Sequence, residues 1–326
     1  PLSRANVSPV TPPPRAKVVT DSLAPGRSMV VDDVAHVEEA IPGMQITRLD
    51  RGRNETELML VELPAIGLCV GRFDFKVSSE AGFEGDSVRI GLQLDEGDGS
   101  WNGRPFETDR LWVYGPNSEH SGAAGPHDGG RGATWATFTV PYDTATRAFG
   151  ADFVDRCGNL ISFDADIGPL RTSLGDVVTQ LCDTTFTIAQ ARRVEREVCE
   201  ATAAVLPGAE RSTPTARSSH RITQRCLAVA DDLDPIPTSA ELAGALGITD
   251  RWVRAAFARV YGVSVSDFFR ARALHRARRT LAAADPGSTS VTEVATECGF
   301  WHLGRFSGYY RAHFGELPRQ TLQRPF

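Results

Sequence analysis

Lysine is nearly absent from this chain. Of its 35 basic residues only Lys17 and Lys76 are lysines, so arginine carries almost all of the positive charge. Arginine stays protonated and can form two parallel hydrogen bonds with a phosphate or with the O6 and N7 atoms of guanine. A genome rich in G and C would produce the same bias, so composition alone leaves both explanations open.

Several signatures of enzymes and of membrane proteins are also missing from the sequence. There is no GxSxG elbow, no phosphate-binding glycine loop, and no HExxH or HxxEH pattern. The common motifs of hydrolases, nucleotide-binding enzymes and zinc peptidases are thereby excluded. No apolar run is long enough to span a bilayer and no secretory leader is visible, so we expect a cytoplasmic protein without a membrane partner.

The cysteines do not form a recognisable framework, because none of them belongs to a CxxC pair. Such scattered cysteines are typical of buried, reduced thiols, and a redox switch or a metal site is the less favoured alternative. The six are Cys69, Cys157, Cys182, Cys199, Cys226 and Cys298.

One pattern occurs twice near the carboxyl end. LAGALGITDRWVRAAFARVYG, residues 242–262, aligns with VATECGFWHLGRFSGYYRAHFG, residues 294–315, with one extra residue in the second copy. In each copy an alanine in the first helix allows a second helix to cross closely, and a glycine follows where the chain must turn sharply. The pattern predicts two helix-turn-helix units. The matched pairs are Leu242 with Val294, Ala243 with Ala295, Gly247 with Gly299, Phe257 with Tyr310, and Gly262 with Gly315.

The second helix of each copy has a recognisable pattern of its own. In copy one, Thr249 is expected to cap the helix. In copy two, a helix over 302–313 places Leu303, Phe306 and Tyr310 on one buried face, with its arginines elsewhere. We expect Trp252 and Trp301, at the starts of the two helices, to be packing residues, with insertion between bases as the alternative. His302 is assigned to capping or packing, with a DNA contact as the alternative.

A long helix is predicted between the two copies. From Phe268 onward, Phe268, Ala271, Leu274 and Leu281 fall on one side, and Arg272, Arg276 and Arg279 on another. Asp285, Pro286 and Gly287 end it, and Leu317 and Pro318 introduce a short final helix. A stiff helix of this kind could hold two recognition helices about 34 Å apart, one turn of duplex DNA.

Charge is divided unevenly along the chain. The whole sequence has a net charge of −6, but residues 215–326 contain fifteen Arg against ten Asp and Glu. This last third therefore carries about +5 and the first 214 residues about −11. Since a domain responds to its local field, the basic carboxyl-terminal third can meet a polyanion although the chain is acidic overall.

Residues 215–326 resemble the DNA-binding domain of the AraC/XylS family of bacterial transcription regulators. The resemblance rests on the two helix-turn-helix units, the helix between them, and the ending FWHLGRFSGYYRAHFGELPRQTL, and it covers about a third of the chain. It implies a sequence-specific regulator that binds double-stranded DNA and works with RNA polymerase, activation being expected over repression.

The resemblance also implies roles for particular residues. Two groups of positions would face bases on the first and second recognition helices: Arg251, Arg254 and Ala255, then Gly304, Arg305 and Gly308. Arg259 and Arg311 match positions that meet phosphate. Glycine carries no side-chain donor or acceptor, so the second unit is expected to discriminate bases less than the first, or to rely on DNA shape.

The amino-terminal part follows a different pattern. Residues 1–28 are proline-rich and polar and are assigned to a flexible arm. VVDDVAHVEEAIPG predicts a short helix, and the runs ELMLVEL, IGLCVGRFDF, SVRIGLQL, DRLWVYG and ATWATFTV predict strands separated by turns. Residues 29–168 are therefore assigned to an antiparallel barrel or sandwich. The predicted fold is α+β with two domains, a β-barrel with flanking helices followed by an all-α domain.

In the resembled family this region is commonly a cupin-like barrel that binds a small effector. The candidate pocket residues comprise five aromatic side chains and one guanidinium, which would suit an apolar or aromatic acid as the ligand. For each of them, ordinary barrel core is the alternative. His120 and His127 are assigned to the glycine-rich loop NSEHSGAAGPHDGG, where their spacing does not match an HxH pair on a strand, so no metal or other cofactor is expected. The candidate pocket residues are Trp101, Arg104, Phe106, Trp112, Tyr114 and Trp135.

Helical periodicity returns at 169–206, which predicts two helices broken near 183–186. Their apolar stripes could pack on the barrel or on a second subunit; the resemblance favours a homodimer. PGAERSTPTARSS, 207–219, is assigned to a linker, and 220–326 to the DNA-binding domain.

The sequence leaves alternative functions open. An effector-controlled DNA-binding regulator accounts for the repeat, the basic carboxyl-terminal third and the barrel together. In the first alternative the barrel is a protein-interaction module without a small ligand. In the second and less favoured alternative, it is a cupin-type enzyme, for which no catalytic set is found.

Overall fold

The computed structural model describes residues 27–31, 34–41, 43–51, 56–82, 85–95, 97–102, 104–115, 118–126, 132, 134–151, 161–164, 167–183, 187–205, 210–211, 217–230, 232–233 and 236–324. Most of the predicted arm, as well as His127 and Cys157, lies outside these residues.

Thirteen strands are described, and every pairing between them is antiparallel. They are β1 Arg27–Val31, β2 Met44–Arg48, β3 Thr56–Glu62, β4 Gly67–Phe73, β5 Val77–Gly82, β6 Ser87–Gln93, β7 Asp98–Trp101, β8 Arg104–Pro105, β9 Arg110–Tyr114, β10 Glu119–Gly125, β11 Thr134–Pro141, β12 Ile161–Asp164 and β13 Glu210–Arg211.

The strands form two sheets that face each other. The larger sheet has the order β1-β3-β4-β11-β6-β9-β12-β13, and the smaller has the order β2-β5-β10-β7-β8. Ile46 and Val77 of the smaller sheet pack in one buried cluster with Leu58 and Phe73 of the larger. This arrangement confirms the predicted antiparallel β domain, and we call it the sensor domain after the role that the family resemblance implies.

The outer face of the larger sheet is covered by helices. Alternate residues of its strands, such as Ile90, Val113 and Phe138, point to α2 Tyr142–Phe149, α3 Gly168–Asp183 and α4 Ile188–Val205. Val194 and Val198 of α4 are buried in this cluster. The apolar stripe that the sequence offered to either the barrel or a second subunit is therefore covered by the chain's own sheet, at least along α4.

The described residues from 217 to 324 form helices and the connections between them. The helices are α5 Arg217–Ala230, α6 Ser239–Leu246, α7 Asp250–Tyr261, α8 Val265–Ala283, α9 Val291–Glu297, α10 Leu303–Phe314 and α11 Pro318–Leu322. A further described helix, α1 Val34–Ala40, precedes β2. The long helix α8 is the predicted strut; Phe268, Ala271, Leu274 and Leu281 are all buried, and Arg276 and Arg279 are exposed. We call residues 217–324 the DNA-binding domain after the role that the same resemblance implies.

Several expectations from the sequence were wrong. Trp252 and Trp301 are 60% and 69% exposed, so they do not pack in the core, and Leu303 is 40% exposed. The supposed linker contains β13 and the first turn of α5. His120 lies in β10 and not in a loop. The small residues that follow it allow β10 to pair closely with β5 and β7.

Candidate nucleic-acid interface

The two helix-turn-helix units are built in the same way. The first helices, α6 and α9, begin with capping boxes in which Thr238 pairs with Glu241 and Ser290 with Glu293. Each box satisfies backbone N–H groups that a helix leaves unpaired at its start. Thr249 lies at the N-cap position of α7 as predicted, but its side chain makes no capping hydrogen bond.

Glycines make the turns at equivalent points in both units. Gly247 and Gly299 follow the first helices with φ of 64° and 85°, and Gly262 and Gly315 end the second helices with φ of 67° and 76°. An L-residue with a side chain rarely adopts this left-handed conformation. The glycine pattern in the sequence thus reflects a backbone requirement that occurs four times.

The crossing of each helix pair is fixed by buried residues. Leu242 and Ala243 in the first unit, and Val294 and Ala295 in the second, are almost fully buried. The second helices α7 and α10 contribute the buried side chains Phe257 and Tyr310. Both helices are therefore held against the core along one face, which leaves the opposite face of each toward solvent.

The exposed faces carry the residues assigned to DNA. All eight are exposed: Arg251, Arg254, Ala255 and Arg259 on α7, and Gly304, Arg305, Gly308 and Arg311 on α10. Arg254 forms an ion pair of 2.6 Å with Asp250, one helical turn before it. A Cβ added at Gly304 or Gly308 would meet no atom within 4 Å, so α10 presents an open surface there.

The carboxyl-terminal helices are similar in sequence to parts of known proteins. Residues 242–324 match the family model described as "Helix-turn-helix domain". The chain is 35% identical over 86 residues to the "Probable thc operon regulatory protein" of Rhodococcus erythropolis, and 34% identical over 96 residues to the "XylDLEGF operon transcriptional activator 3" of Pseudomonas putida. The chain carries a DNA-binding domain of the AraC/XylS family.

These matches are confined to the carboxyl-terminal part. They cover 26% of this chain and of the R. erythropolis protein, and 29% of this chain and of the P. putida protein. The chain also aligns with the crystal structure of the AraC-like transcriptional activator CuxR. The alignment covers 77% of this chain and 95% of the CuxR chain, at 15% identity and a TM-score of 0.42. At that TM-score the likeness has no bearing on what this chain binds.

The predicted effector residues of the sensor domain fall into separate groups. Trp101 packs against Phe106 with ring centroids 5.3 Å apart, and His120 lies 4.9 Å from Trp101 and 5.0 Å from Tyr114. Trp112 is fully buried, and Trp135 stacks on Phe73 at 6.0 Å. The side chain of Arg104 lies outside the described residues.

His120 is an inward-facing residue that the sequence interpretation placed in a loop. Burial, and then the nearby charge of Arg89, lower the pKa of His120 to about 3, so the imidazole is neutral at physiological pH. Burial also lowers the pKa of Arg89. The inward position of Arg89 could have been predicted from the run SVRIGLQL. Arg89 alternates there with Val88 and Ile90, so it falls on the face of the sheet opposite the helices.

The DNA-binding domain contacts the sensor domain through polar groups. The Ser100 hydroxyl donates to the Val260 carbonyl at 3.3 Å, and the Gln224 amide donates to the Ser121 hydroxyl at 2.6 Å. The Arg48 backbone N–H donates to Nε2 of His275 at 3.1 Å. Two ion pairs, Arg272 with Glu80 and Arg279 with Glu38, span 3.5 and 3.6 Å.

A cleft of about 320 Å³ lies where the sensor domain meets α7. Lys76 and Arg259 contribute positive charge from opposite sides, and the described residues that line the cleft include no Asp or Glu. The small residues Gly99, Ala123 and Gly125 keep the sensor side open. The cleft therefore combines two cations with an apolar wall at the junction of the domains.

The described cysteines agree in part with the expectation of buried, reduced thiols. The thiols of Cys69, Cys199, Cys226 and Cys298 are free, the last two are buried, and the first two are half-buried. Burial raises the pKa of Cys69 to about 12 and that of Cys199 to about 11, which keeps both thiols protonated and unreactive.

No helix in the described part of the chain is both long and apolar enough to cross a bilayer.

Proposed function

We propose that the protein is a DNA-binding transcription regulator that recognises a specific duplex through α7 and α10 and is controlled by a small effector. The observation that carries this proposal is the pair of equivalent helix-turn-helix units, each with its buried face fixed and its arginines exposed. Activation is favoured over repression, since one relative is described as an operon transcriptional activator.

The exposed residues divide into two roles. Arg251, Arg254 and Arg305 would contact base edges, where a guanidinium can donate two hydrogen bonds to guanine. Arg259 and Arg311, in the last turns of their helices, would contact phosphate. Phosphate contacts position a protein on the duplex, and base contacts select the sequence.

The effector would be a small acid with an apolar or aromatic body. The cleft suits such a ligand, because Lys76 and Arg259 supply two cations and Val77 and Ala123 supply apolar surface. Arg259 cannot serve a DNA phosphate while it is paired with a carboxylate in the cleft. An acid bound there therefore lowers DNA affinity, and DNA lowers affinity for the acid by the same factor.

The interior of the sensor domain is the alternative effector site. Trp101, Phe106, Tyr114 and His120 lie together in one region of it. A ligand there would act through the contacts of Ser100 and Ser121 with the DNA-binding domain. Binding would again shift the equilibrium between domain arrangements that differ in ligand affinity.

Regulators of this kind work through partners. We propose a homodimer, whose two DNA-binding domains occupy adjacent half-sites, and contact with RNA polymerase in the cytoplasm. The buried stripe of α4 is used by the chain's own sheet, so the dimer contact would use another surface.

The test begins with selection of bound duplexes from a random library, followed by fluorescence anisotropy with the full chain. Specific binding should exceed binding to random duplex by at least about a thousandfold. Addition of benzoate or octanoate, as an aromatic and an aliphatic acid, should raise the melting temperature and weaken DNA binding. The variant Lys76→Ala should lose the effect if the cleft is the site and keep it if the interior is.

The protein-interaction alternative makes a different prediction. If the sensor domain binds only another protein, a broad set of small acids should leave both the melting temperature and DNA affinity unchanged. Specific DNA binding without any response to these ligands would support that alternative.

A further inference from the structure

Two tryptophans stand out on the surface of the DNA-binding domain. Trp252 is 60% exposed and Trp301 is 69% exposed, more than any other large apolar residue of the described part of the chain. By contrast, Trp112 of the sensor domain is only 1% exposed. A large indole held in water forgoes the stabilisation that burial would give it, so exposure of two of them points to a partner.

Both tryptophans lie at the ends of the recognition helices that matter most for base contact. Trp252 is the third residue of α7, and Trp301 precedes the first residue of α10 by two positions. In helix-turn-helix proteins the amino-terminal residues of the recognition helix reach the base edges. The two indoles therefore lie at the ends of α7 and α10 that enter the groove.

Their surroundings specify the chemistry of the partner. Trp252 lies between Arg251 and the exposed Ala255, which is one turn further along α7. Trp301 is followed by Leu303, 40% exposed, and by Gly304, which leaves space beside it. An apolar patch rimmed by arginines suits a surface that is negatively charged and carries an apolar group. In the major groove of DNA that group is the C5-methyl of thymine.

We propose that Trp252 and Trp301 select thymine by packing against its methyl group in the major groove. This inference rests on the proposed function and adds a type of base contact that hydrogen-bonding arginines cannot make. It also assigns an apolar readout to the second helix-turn-helix unit, where Gly304 and Gly308 of α10 provide no side-chain donor or acceptor. The operator should therefore contain thymines next to the bases read by Arg251 and Arg305.

The experiment uses the full chain and a duplex selected by binding from a random library. Each thymine in turn is replaced by deoxyuridine, which removes only the methyl group. Affinity for wild-type protein should fall about fourfold at one or more positions in each half of the site, the value of one buried CH₂ group. Trp252→Ala should bind the unmodified duplex roughly 5- to 150-fold more weakly and lose the deoxyuridine effect in its half.

Trp301→Ala should lose the deoxyuridine effect in the other half. Ile188→Ala provides the matched control, because it removes an exposed apolar side chain from α4 of the sensor domain; it should leave DNA affinity unchanged. Circular dichroism and melting temperature establish that each variant is folded.

The outcomes separate this inference from the proposed function. If wild-type protein selects no duplex, both are wrong. If it selects a duplex but deoxyuridine has no effect, or if the effect persists in both alanine variants, the thymine inference alone is wrong. Normal duplex binding by both variants, with loss of promoter activation, would assign the tryptophans to a protein partner and overturn the inference.

Discussion

At the scale of single residues, the exposed face of α7 combines a restrained and an unrestrained arginine. Asp250 in the first turn pairs with Arg254, which is still 65% exposed. A surface pair of this kind contributes at most about 1 kcal/mol, so it orients the guanidinium and gives way easily to a stronger acceptor. No such ion pair is described for Arg251.

The two proposed kinds of arginine should respond differently to truncation. Arg254→Ala should cost about 1 to 3 kcal/mol on the selected duplex and relax the base preference at its position. Arg311→Ala should weaken binding to selected and random duplex alike and reduce the salt dependence by about one phosphate contact. Anisotropy titrations at several salt concentrations measure both effects. Identical behaviour of the two variants would contradict the division of roles.

The glycines of α10 offer a test of close approach. A Cβ at Gly308 meets nothing in the free protein, so Gly308→Ala should stabilise the folded state by about 0.5 to 1 kcal/mol through the lower backbone entropy of the unfolded chain. If α10 approaches a base pair at this point, the same variant should bind the selected duplex more weakly. Chemical denaturation and anisotropy measure the two effects; unchanged affinity would show that Gly308 lies away from the duplex.

Much of the residue-level assignment could be predicted from sequence, but not all of it. The repeat identified which positions of α7 and α10 are buried and which carry arginine, since a 3.6-residue period separates the two faces. It failed for Trp252, Trp301 and Leu303, because an apolar side chain is normally evidence of burial. A surface that binds a ligand reverses that rule, and sequence periodicity cannot show the reversal.

At the scale of elements, the capping boxes fix where α6 and α9 begin. Thr238 and Ser290 accept hydrogen bonds from the backbone N–H groups of Glu241 and Glu293, while each carboxylate accepts from the backbone N–H of its capping residue. These hydrogen bonds lower the pKa of both glutamates. The patterns Thr-x-x-Glu and Ser-x-x-Glu were present in the sequence as signals of helix starts.

Removal of a cap should have a measurable cost. Thr238→Ala should lower the free energy of unfolding by about 1 kcal/mol, as replacement of an N-cap hydroxyl typically does.

The capping carboxylate should make stability depend on pH. Because the folded pKa of Glu241 is depressed, its contribution to the free energy of unfolding is complete above the unfolded pKa of about 4.5. That contribution is lost as the pH falls through the folded pKa. Urea denaturation of wild type and Glu241→Gln between pH 3 and 6 measures this; equal pH dependence of the two would contradict it.

Strand prediction succeeded where apolar residues alternate and failed where they do not. The runs that became β3, β4, β6, β9 and β11 contain apolar residues at alternate positions over most of their length, as with Val88, Ile90 and Leu92 in β6. β10 has the sequence EHSGAAG, which offers no such pattern. Its small residues are needed because neighbours lie very close, and a Cβ at Gly122 would overlap the Trp101 ring at 2.4 Å.

At the scale of the whole molecule, the docking of the two domains depends on contacts between residues far apart in sequence. Arg48 and His275, joined by a hydrogen bond, are separated by 227 positions. No local pattern predicts such a pair, so the sequence identified both domains but not their junction. His313 extends the contact, with its Nε2 at 3.2 Å from that of His275.

The buried histidines should make folding sensitive to mild acid. Burial, together with the neighbouring charges, lowers the pKa of His313 to about 3 and that of His275 well below its usual value, and burial lowers that of His220 to about 4. Below the unfolded pKa of about 6.5 the unfolded chain binds protons that the folded chain does not. Stability is therefore fully present above pH 6.5 and declines as the pH falls, by roughly 1 kcal/mol for each such histidine at one pH unit below the unfolded pKa.

The measurement is the free energy of unfolding by denaturant from pH 7.5 to 5.5. His275→Gln keeps an acceptor for the Arg48 N–H and should show a shallower decline than wild type. A decline of the same steepness would show that His275 is not one of the groups responsible.

The scarcity of lysine has a practical consequence at this scale. Lys76 is one of two lysines in the chain, and its ammonium would lie 3.9 Å from a Cβ placed on Gly262 at the end of α7. An amine-selective acylating reagent has few competing targets in such a protein. The rate at which it modifies Lys76 would therefore report, from one peptide in a mass spectrum, whether the junction is open, filled or drawn apart.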